Sequence, residues 1–329
     1  NSSAENKGNT NFQRGSGQGR RKGRPFLKGR QIDPTALAEV KNTLGHRPRK
    51  RDLLIEHLHL FQDKFGYLSL AHLAALAHEM KMAMAEVYEV ATFYAHFDVV
   101  RENECPPPAI TLRVCDSLTC SMFGAERILS ELNASLDNNF RVVRAPCIGA
   151  CDKAPVAAVG HNLIENVSSE KLIANAKAAL SNELPHREIN PIRLDEYLEL
   201  GGYKVLKECL SGQRTQQDLI EELGKSALRG LGGAGFPTSK KWDLVRANNG
   251  RKALAVNGDE GEPGTFKDRL YLENDPHRTL EGMLIAAWAV GAEDCYFYLR
   301  DEYPEIRHIL EEEISCLETE GLVAHTRIH

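Results

Sequence analysis

Leu54, Leu58, Phe61 and Phe65 recur at intervals of four, three and four residues, a spacing that lays one apolar stripe along a helix ended by Gly66. The neighbouring stretches read the same way. Asp33-Pro34 opens a helix with a capping carboxylate and a proline at the first helical position, and Gly45 closes it. Ser69 caps a third helix running through Met80, and a fourth covers residues 86–94. Together they predict a small bundle whose His, Met and aromatic side chains serve core and surface rather than ligation.

After Pro106-Pro107-Pro108 the period changes. Residues 110–114 read as a strand, 115–120 as a loop, and the following stretch as a helix to about Leu136. A second strand at 140–143 leads to a loop at 147–151, a third strand at 156–159, and a helix through Leu180 capped by Ser168. The order β, α, β, β, α suits a thioredoxin-like domain. A polar, proline-bearing linker at 185–192 follows, then short helices at 194–200 and 203–210. Beyond a glycine-rich run the chain alternates: helix 240–247, strand to Val256, helix from Phe266, helix 277–290, strand 295–299, helix from Pro304. That alternation predicts α/β architecture with a parallel sheet. No closing strand is evident before His329, so the domain is expected to continue beyond it.

Composition adds one asymmetry. The 329 residues are 42% hydrophobic and 26% charged, unremarkable for a soluble protein, with a net charge of -5. Residues 1–32 carry Lys7, Arg14, Arg20, Arg21, Lys22, Arg24, Lys28 and Arg30 against Glu5 alone. Such a Gly/Ser/Asn/Arg arm cannot bury enough apolar surface to fold by itself. Its composition fits a solubilising tail or a nucleic-acid contact, but an acidic groove on a neighbouring subunit is the expected partner, with no nucleic acid. No run reaches the ~18 apolar residues of a membrane span, and no charged-then-apolar leader is present, so a cytoplasmic location is expected.

Four of the eight cysteines form Cys115-x4-Cys120 and Cys147-x3-Cys151, each pair on a loop directly after a strand. Spacing alone admits two disulfides, a structural zinc site, or a [2Fe-2S] cluster on four thiolates, with Gly149 and Ala150 leaving room beside the sulfides. Cys105, Cys209, Cys295 and Cys316 lack such partners and read as incidental thiols.

The glycine-rich run is Arg229-Gly230-Leu231-Gly232-Gly233-Ala234-Gly235-Phe236-Pro237-Thr238, followed by Ser239-Lys240-Lys241-Trp242. Four glycines in six residues forgo side-chain packing, which is tolerated where a turn or ligand needs bare backbone. The run lacks the spacing of both familiar phosphate loops. Thr238 can cap the helix that follows, whose N-terminus favours phosphate, and Lys241 adds a cation one turn in. An acidic loop, Asn257-Gly258-Asp259-Glu260-Gly261-Glu262-Pro263-Gly264-Thr265-Phe266-Lys267-Asp268-Arg269, follows the apolar strand at 253–256.

These two loops together resemble the FMN- and NADH-binding region of the flavin subunit of respiratory complex I and its soluble relatives. The cysteine segment, with Val87-Tyr88-Glu89-Val90-Ala91-Thr92-Phe93-Tyr94 before it and Asp152-Lys153-Ala154-Pro155 after it, resembles the small thioredoxin-like [2Fe-2S] subunit of complex I. The second likeness implies a cluster on Cys115, Cys120, Cys147 and Cys151. The first implies FMN contacts from Gly230, Gly232, Lys241, Asn257, Asp259 and Glu260, and a nicotinamide nucleotide beside Gly233, Ala234, Phe236, Lys241 and Glu262. The residue chemistry agrees: Phe236 offers a ring for stacking, Lys241 neutralises phosphate, and the Asn257 amide suits flavin edges. Many relatives have arginine where this chain has Leu231, so contacts of that side chain are lost.

The expected fold class is therefore α/β: a basic arm (1–32), a helical bundle (33–104), a thioredoxin-like ferredoxin domain (105–184), and a linker with the first part of a Rossmann-like FMN/NADH-binding domain (185–329). The resemblance to the flavin subunit implies a [4Fe-4S] cluster too, expected only in a C-terminal part beyond these residues. One chain fusing both modules with all four cysteines looks most like the beta subunit of soluble NAD-dependent formate dehydrogenase, implying a molybdenum- or tungsten-containing catalytic alpha subunit with iron–sulfur clusters as partner. Diaphorase subunits of NAD-reducing hydrogenases and of complex I are similar. A docking module with a silent nucleotide site is the alternative of another class.

Overall fold

Helix α1 (Pro34–Leu44) starts where Asp33 accepts a hydrogen bond from the Ala36 amide at 2.8 Å, and ends at Gly45. The structure, a computed structural model, describes residues 31–181, 183 and 187–329. Nearly all of the basic arm therefore lies outside the described residues, as do Pro185 and His186 of the linker. The chain divides into two compact units, one ending at Cys105 and one spanning Pro106–His329.

In the first unit, α2 (Leu54–Phe65) buries Leu54, Leu58 and Phe61 of the predicted stripe and ends at left-handed Gly66. Ser69 caps α3 (Leu70–Met80) as expected, accepting from the His72 amide at 3.0 Å, and α4 (Met84–Phe93) follows. Val40, Leu44, Leu73, Leu76 and Val87 close the core around that stripe. Each such side chain contributes roughly 1.5–3 kcal/mol by burial. Two strands that periodicity does not reveal, β1 (Leu68–Ser69) and β2 (Val99–Val100), pair in parallel across the bundle's end. Two-residue strands carry no alternation to read.

The second unit opens with β3 (Ile110–Cys115), then α5 (Leu118–Met122) and α6 (Ala125–Ser135). The single predicted helix is split because Gly124 adopts φ 91°, where a side chain would be strained. β4 (Phe140–Ala145) lies parallel to β3; β5 (Ala157–Val159) and β6 (Asn162–Ile164) extend the sheet antiparallel, giving the order β4-β3-β5-β6. β6 corrects the predicted strand count: it is three residues long and returns from β5 through a turn at Gly160. Ser168 caps α7 (Ser169–Leu180), as expected. Leu112 and Val114 of the sheet pack with Ile128, Leu132 and Leu172 of α6 and α7, and this places both cysteine loops at one end of the domain.

The described part of the linker, residues 187–192, is docked: Ile192 donates to the Asn274 carbonyl at 2.9 Å and Arg187 forks onto Glu273 at 2.6 and 3.0 Å. α8 (Leu194–Glu199), α9 (Lys204–Leu210) and α10 (Gln216–Lys225) follow; α10 is an addition to the predicted elements, opened by a capping box at Thr215 and Asp218. Next come α11 (Thr238–Ala247), β7 (Ala253–Gly258), α12 (Lys267–Asn274), α13 (Pro276–Val290), β8 (Asp294–Leu299) and α14 (Pro304–Thr319). A short strand that the sequence does not reveal, β9 (Arg327–Ile328), pairs parallel with β8 at Asp294 and Cys295. Side chains hold it: the buried Asp294 carboxylate accepts from Arg327, His329 and Arg251 at 2.8, 3.0 and 2.9 Å. Those hydrogen bonds keep its carboxyl well below the usual acid range.

Leu280, Leu284 and Ala287 of α13 pack with Tyr203, Leu206, Ile306 and Leu310 on one side of the β7-β8-β9 sheet. Among the described residues the other side is open. Ala253, Ala255 and Asn257 are exposed, and Tyr296 and Tyr298 on β8 are 44% and 53% exposed. Parallel sheets are ordinarily covered on both faces, so this surface suits a covering ligand or protein layer. No helix among the described residues is long and apolar enough to cross a membrane.

Candidate cluster and flavin site

The ends of parallel β3 and β4 aim both cysteine loops the same way, and the predicted ligands converge. Cys115, Cys120, Cys147 and Cys151 are all buried free thiols. The sulfurs of Cys147 and Cys151 lie 3.4 Å apart, well beyond the ~2.05 Å of a disulfide, and Cys115 shares hydrogen bonds with both Cys120 and Cys147. Backbone donors surround them: the Gly149 amide points at the Cys147 sulfur at 3.4 Å and the Gly264 amide at the Cys151 sulfur at 3.1 Å.

Four crowded thiols resist ionising together. The Cys115 thiol beside it, and burial, push Cys147 far up; Cys120 raises Cys115; burial raises Cys151. Cys120 moves down because Cys115 hydrogen-bonds to it. A bound cation reverses that balance by stabilising every thiolate at once. Soft thiolates in two pairs with amide donors around them therefore fit iron–sulfur ligation.

The glycine run forms a tight exposed loop. Gly230 donates to the Phe236 carbonyl and Thr238 to the Leu228 carbonyl, each at 3.0 Å, while Arg229 ties down the Gly235 carbonyl at 2.9 Å. Gly233 and Gly235 need glycine for their φ of 94° and 59°. At Gly232 and Gly233 an added Cβ meets nothing within 4 Å among the described residues, so the bare backbone there leaves space that a flat ligand can occupy. Leu231 is fully exposed at the loop tip and Phe236 half exposed behind it. Pro237, not Thr238, occupies the cap of α11; Thr238 is the first helical residue, because the Pro237 backbone is extended. Lys241 lies one turn in and exposed, as expected.

The acidic loop leaves the C-terminal end of β7, the end of a parallel sheet at which ligands commonly bind. Asn257 accepts its loop's own Asp259 amide at 2.9 Å, leaving the amide NH2 to face outward. Asp259 and Glu262 are exposed. Glu260, expected at the flavin, is 1% exposed, and its carboxylate accepts the Asp268 and Arg269 amides, both at 3.0 Å, at the start of α12. That carboxylate is committed to the helix.

Sequence reasoning passed over the residues that join the two halves. Arg269, 2% exposed, donates to the Gly149 carbonyl at 3.1 Å and to Glu273 at 3.0 Å, and bonds Asp152. Tyr303 donates to the same Gly149 carbonyl at 3.1 Å. Arg300 bonds the Cys147 and Glu260 carbonyls together. Only Arg269 stands within one of the sequence motifs, and its spacing from the cysteines carries no local signal.

Residues 40–179 match the family described as thioredoxin-like [2Fe-2S] ferredoxin, and residues 223–329 match the Nuo51 FMN-binding domain. The chain thus carries a thioredoxin-like [2Fe-2S] domain followed by an FMN-binding domain. It is 45% identical over 130 residues to an NADH-quinone oxidoreductase subunit of Aquifex aeolicus, covering 40% of this chain and 30% of the relative. It is 31% identical over 307 residues to the NAD-reducing hydrogenase HoxS subunit alpha of Cupriavidus necator, covering 83% of this chain and 50% of the relative. A crystal structure of an NAD+-reducing [NiFe]-hydrogenase aligns with TM-score 0.68 and 26% identity over 86% of this chain and 52% of that one. The chain spans at most about half the length of these relatives.

Proposed function

We propose that this chain is the electron-entry part of an NAD-linked diaphorase, with FMN and NAD(H) on the two exposed loops and a [2Fe-2S] cluster on Cys115, Cys120, Cys147 and Cys151. The observation that carries the reading is the direct hydrogen bonding between the flavin half and the cluster loop, from Arg269, Arg300 and Tyr303. When bound, the flavin supplies the exchange between two-electron hydride and single-electron chemistry. The protein's part is to bind and orient: bare backbone at 230–235 admits flat rings, Phe236 stacks, Lys241 neutralises phosphate, and Glu262 accepts from a nicotinamide or ribose donor. No general acid or base is required of any side chain.

Lys241 and Glu262 separate this reading from a docking module with a silent nucleotide site. Lys241→Ala is expected to weaken both FMN retention and nucleotide affinity by ~1.5–3 kcal/mol, the value of one charge-assisted hydrogen bond. Glu262→Gln is expected to keep FMN while raising KM for NAD or slowing dye reduction. Flavin content and NADH-dependent dye reduction of each variant in the full-length subunit decide the matter. Normal dye reduction in both counts against the site, and flavin loss from the Glu262 variant alone reverses the two sides of the loop.

For the holoenzyme, the reading is NAD reduction with electrons from formate oxidised in a molybdenum- or tungsten-containing partner subunit. Fusion of both modules with all four cysteines supports it. The span of the hydrogenase alignment, 83% of this chain, favours a hydrogenase partner as the second reading. The purified complex is expected to reduce NAD with formate; reduction with hydrogen alone selects the second reading.

A further inference from the structure

One guanidinium of the flavin half spans two loops that carry different chemistry. Arg300 follows β8 directly, and its side chain is only 8% exposed. One nitrogen donates to the Glu260 carbonyl at 2.6 Å, in the acidic loop, and another bonds the Cys147 carbonyl, in the cluster loop. Its Nε donates to Glu302 at 3.1 Å, with the Asp259 carboxylate 4.0 Å away, and the guanidinium carbon lies 5.5 Å from the centre of the Tyr303 ring. Four residues past Glu260, the acidic loop turns at Gly264 with φ 93° and places that residue's amide 3.1 Å from the Cys151 sulfur. Sequence separations of 153 and 113 residues are closed at these contacts, so neither is local chain geometry.

We propose that Arg300 is a positioning residue that ties the acidic loop to the cluster loop, holds the Gly264 amide on the Cys151 sulfur, and so raises the reduction potential of the [2Fe-2S] cluster. This rests on the cysteine ligand set of the proposed function, not on its nucleotide assignments. Reduction adds one electron, and hence one negative charge, to the cluster and its thiolates. A hydrogen-bond donor on a ligand sulfur and a buried cation beside it both favour the more negative state. The fork geometry matters as well as the charge, since a planar guanidinium spreads its donors in a rigid fork that a lysine ammonium does not present.

The test is a redox titration of the cluster in the full-length, cofactor-loaded subunit, using dithionite and mediators and reading the reduced two-iron spectroscopic signal. Arg300→Gln is expected to keep its cluster but to be about threefold to tenfold harder to reduce at equilibrium, tenfold being 59 mV for a one-electron couple. Arg300→Lys keeps the charge without the fork and is expected to shift less in the same direction. Tyr303→Phe, which loses a bond to Gly149 but none to the acidic loop, is expected to titrate as the wild type does. An unchanged potential in a loaded Arg300→Gln protein overturns the proposal, as does an equal shift in Tyr303→Phe. If Arg300→Gln does not retain the cluster, an unchanged potential in Arg300→Lys overturns it instead. The titration needs no nicotinamide, so NADH dye reduction by the wild-type protein, measured alongside, fails separately if the diaphorase reading is the one at fault.

Discussion

Replacing Cys147 by serine removes the visible absorption and the reduced-state signal of a two-iron cluster. The sulfur lies 3.4 Å from Cys151 and shares a hydrogen bond with Cys115, so it stands inside the proposed ligand set rather than beside it. Serine keeps nearly the same shape, which makes the comparison one of chemistry. Its hydroxyl is a hard donor that gives up its proton far less readily than a thiol, and it offers iron a poor replacement for a soft thiolate. Loss of the two-iron signal at unchanged FMN content is the expected outcome. A full-strength two-iron spectrum from the purified variant removes Cys147 from the site.

Gly149→Ala is expected to destabilise the second unit strongly. The backbone there has φ 81°, which costs a residue with a Cβ roughly 1–2 kcal/mol. An added Cβ would also lie 2.0 Å from the Tyr303 hydroxyl oxygen and 2.8 Å from its ring carbon. Tyr303 is buried and its hydroxyl is already committed to the Gly149 carbonyl, so it has little room to retreat. Overpacking of that kind adds typically ~1–3 kcal/mol, for a total of about 2–5 kcal/mol. Denaturant unfolding followed beside cluster content checks this. Gly149→Ala combined with Tyr303→Phe should recover part of the loss, because the closest atom is gone; a wild-type midpoint in the single variant contradicts the contact.

The contrast between those two positions marks where sequence reading reaches its limit. Cys147 is legible because short cysteine spacings survive in the chain, and the structure brings the other three cysteines of the set together with it. Gly149 is legible only as small, since Tyr303 lies 154 residues away. The same division runs through the fold. Asp33, Ser69 and Ser168 announce their helices by capping chemistry within three residues, and each accepts the expected amide. Thr238 shows the opposite: a good capping residue is drawn into the helix because the preceding proline holds the extended backbone that a cap requires.

Strands two or three residues long escape notice for a related reason. Arg327–Ile328 contains no alternation, and what makes it a strand is a buried carboxylate at Asp294 that gathers Arg251, Arg327 and His329. Glu260 likewise is read from its acidic loop as a flavin contact, whereas the start of α12 turns two amides onto its carboxylate.

By itself, then, the sequence determined the local grammar of this protein: helix faces, caps, the strand-loop placement of the cysteines, and glycines where bare backbone is needed. Each of these follows from forces acting over a few residues. The tertiary structure alone decided that Arg269, Arg300 and Tyr303 fasten the flavin half onto the cluster loop. Hydrogen bonds between residues more than a hundred positions apart depend on how whole sheets are packed, and no periodicity or motif in the chain encodes which distant carbonyl a buried guanidinium will meet.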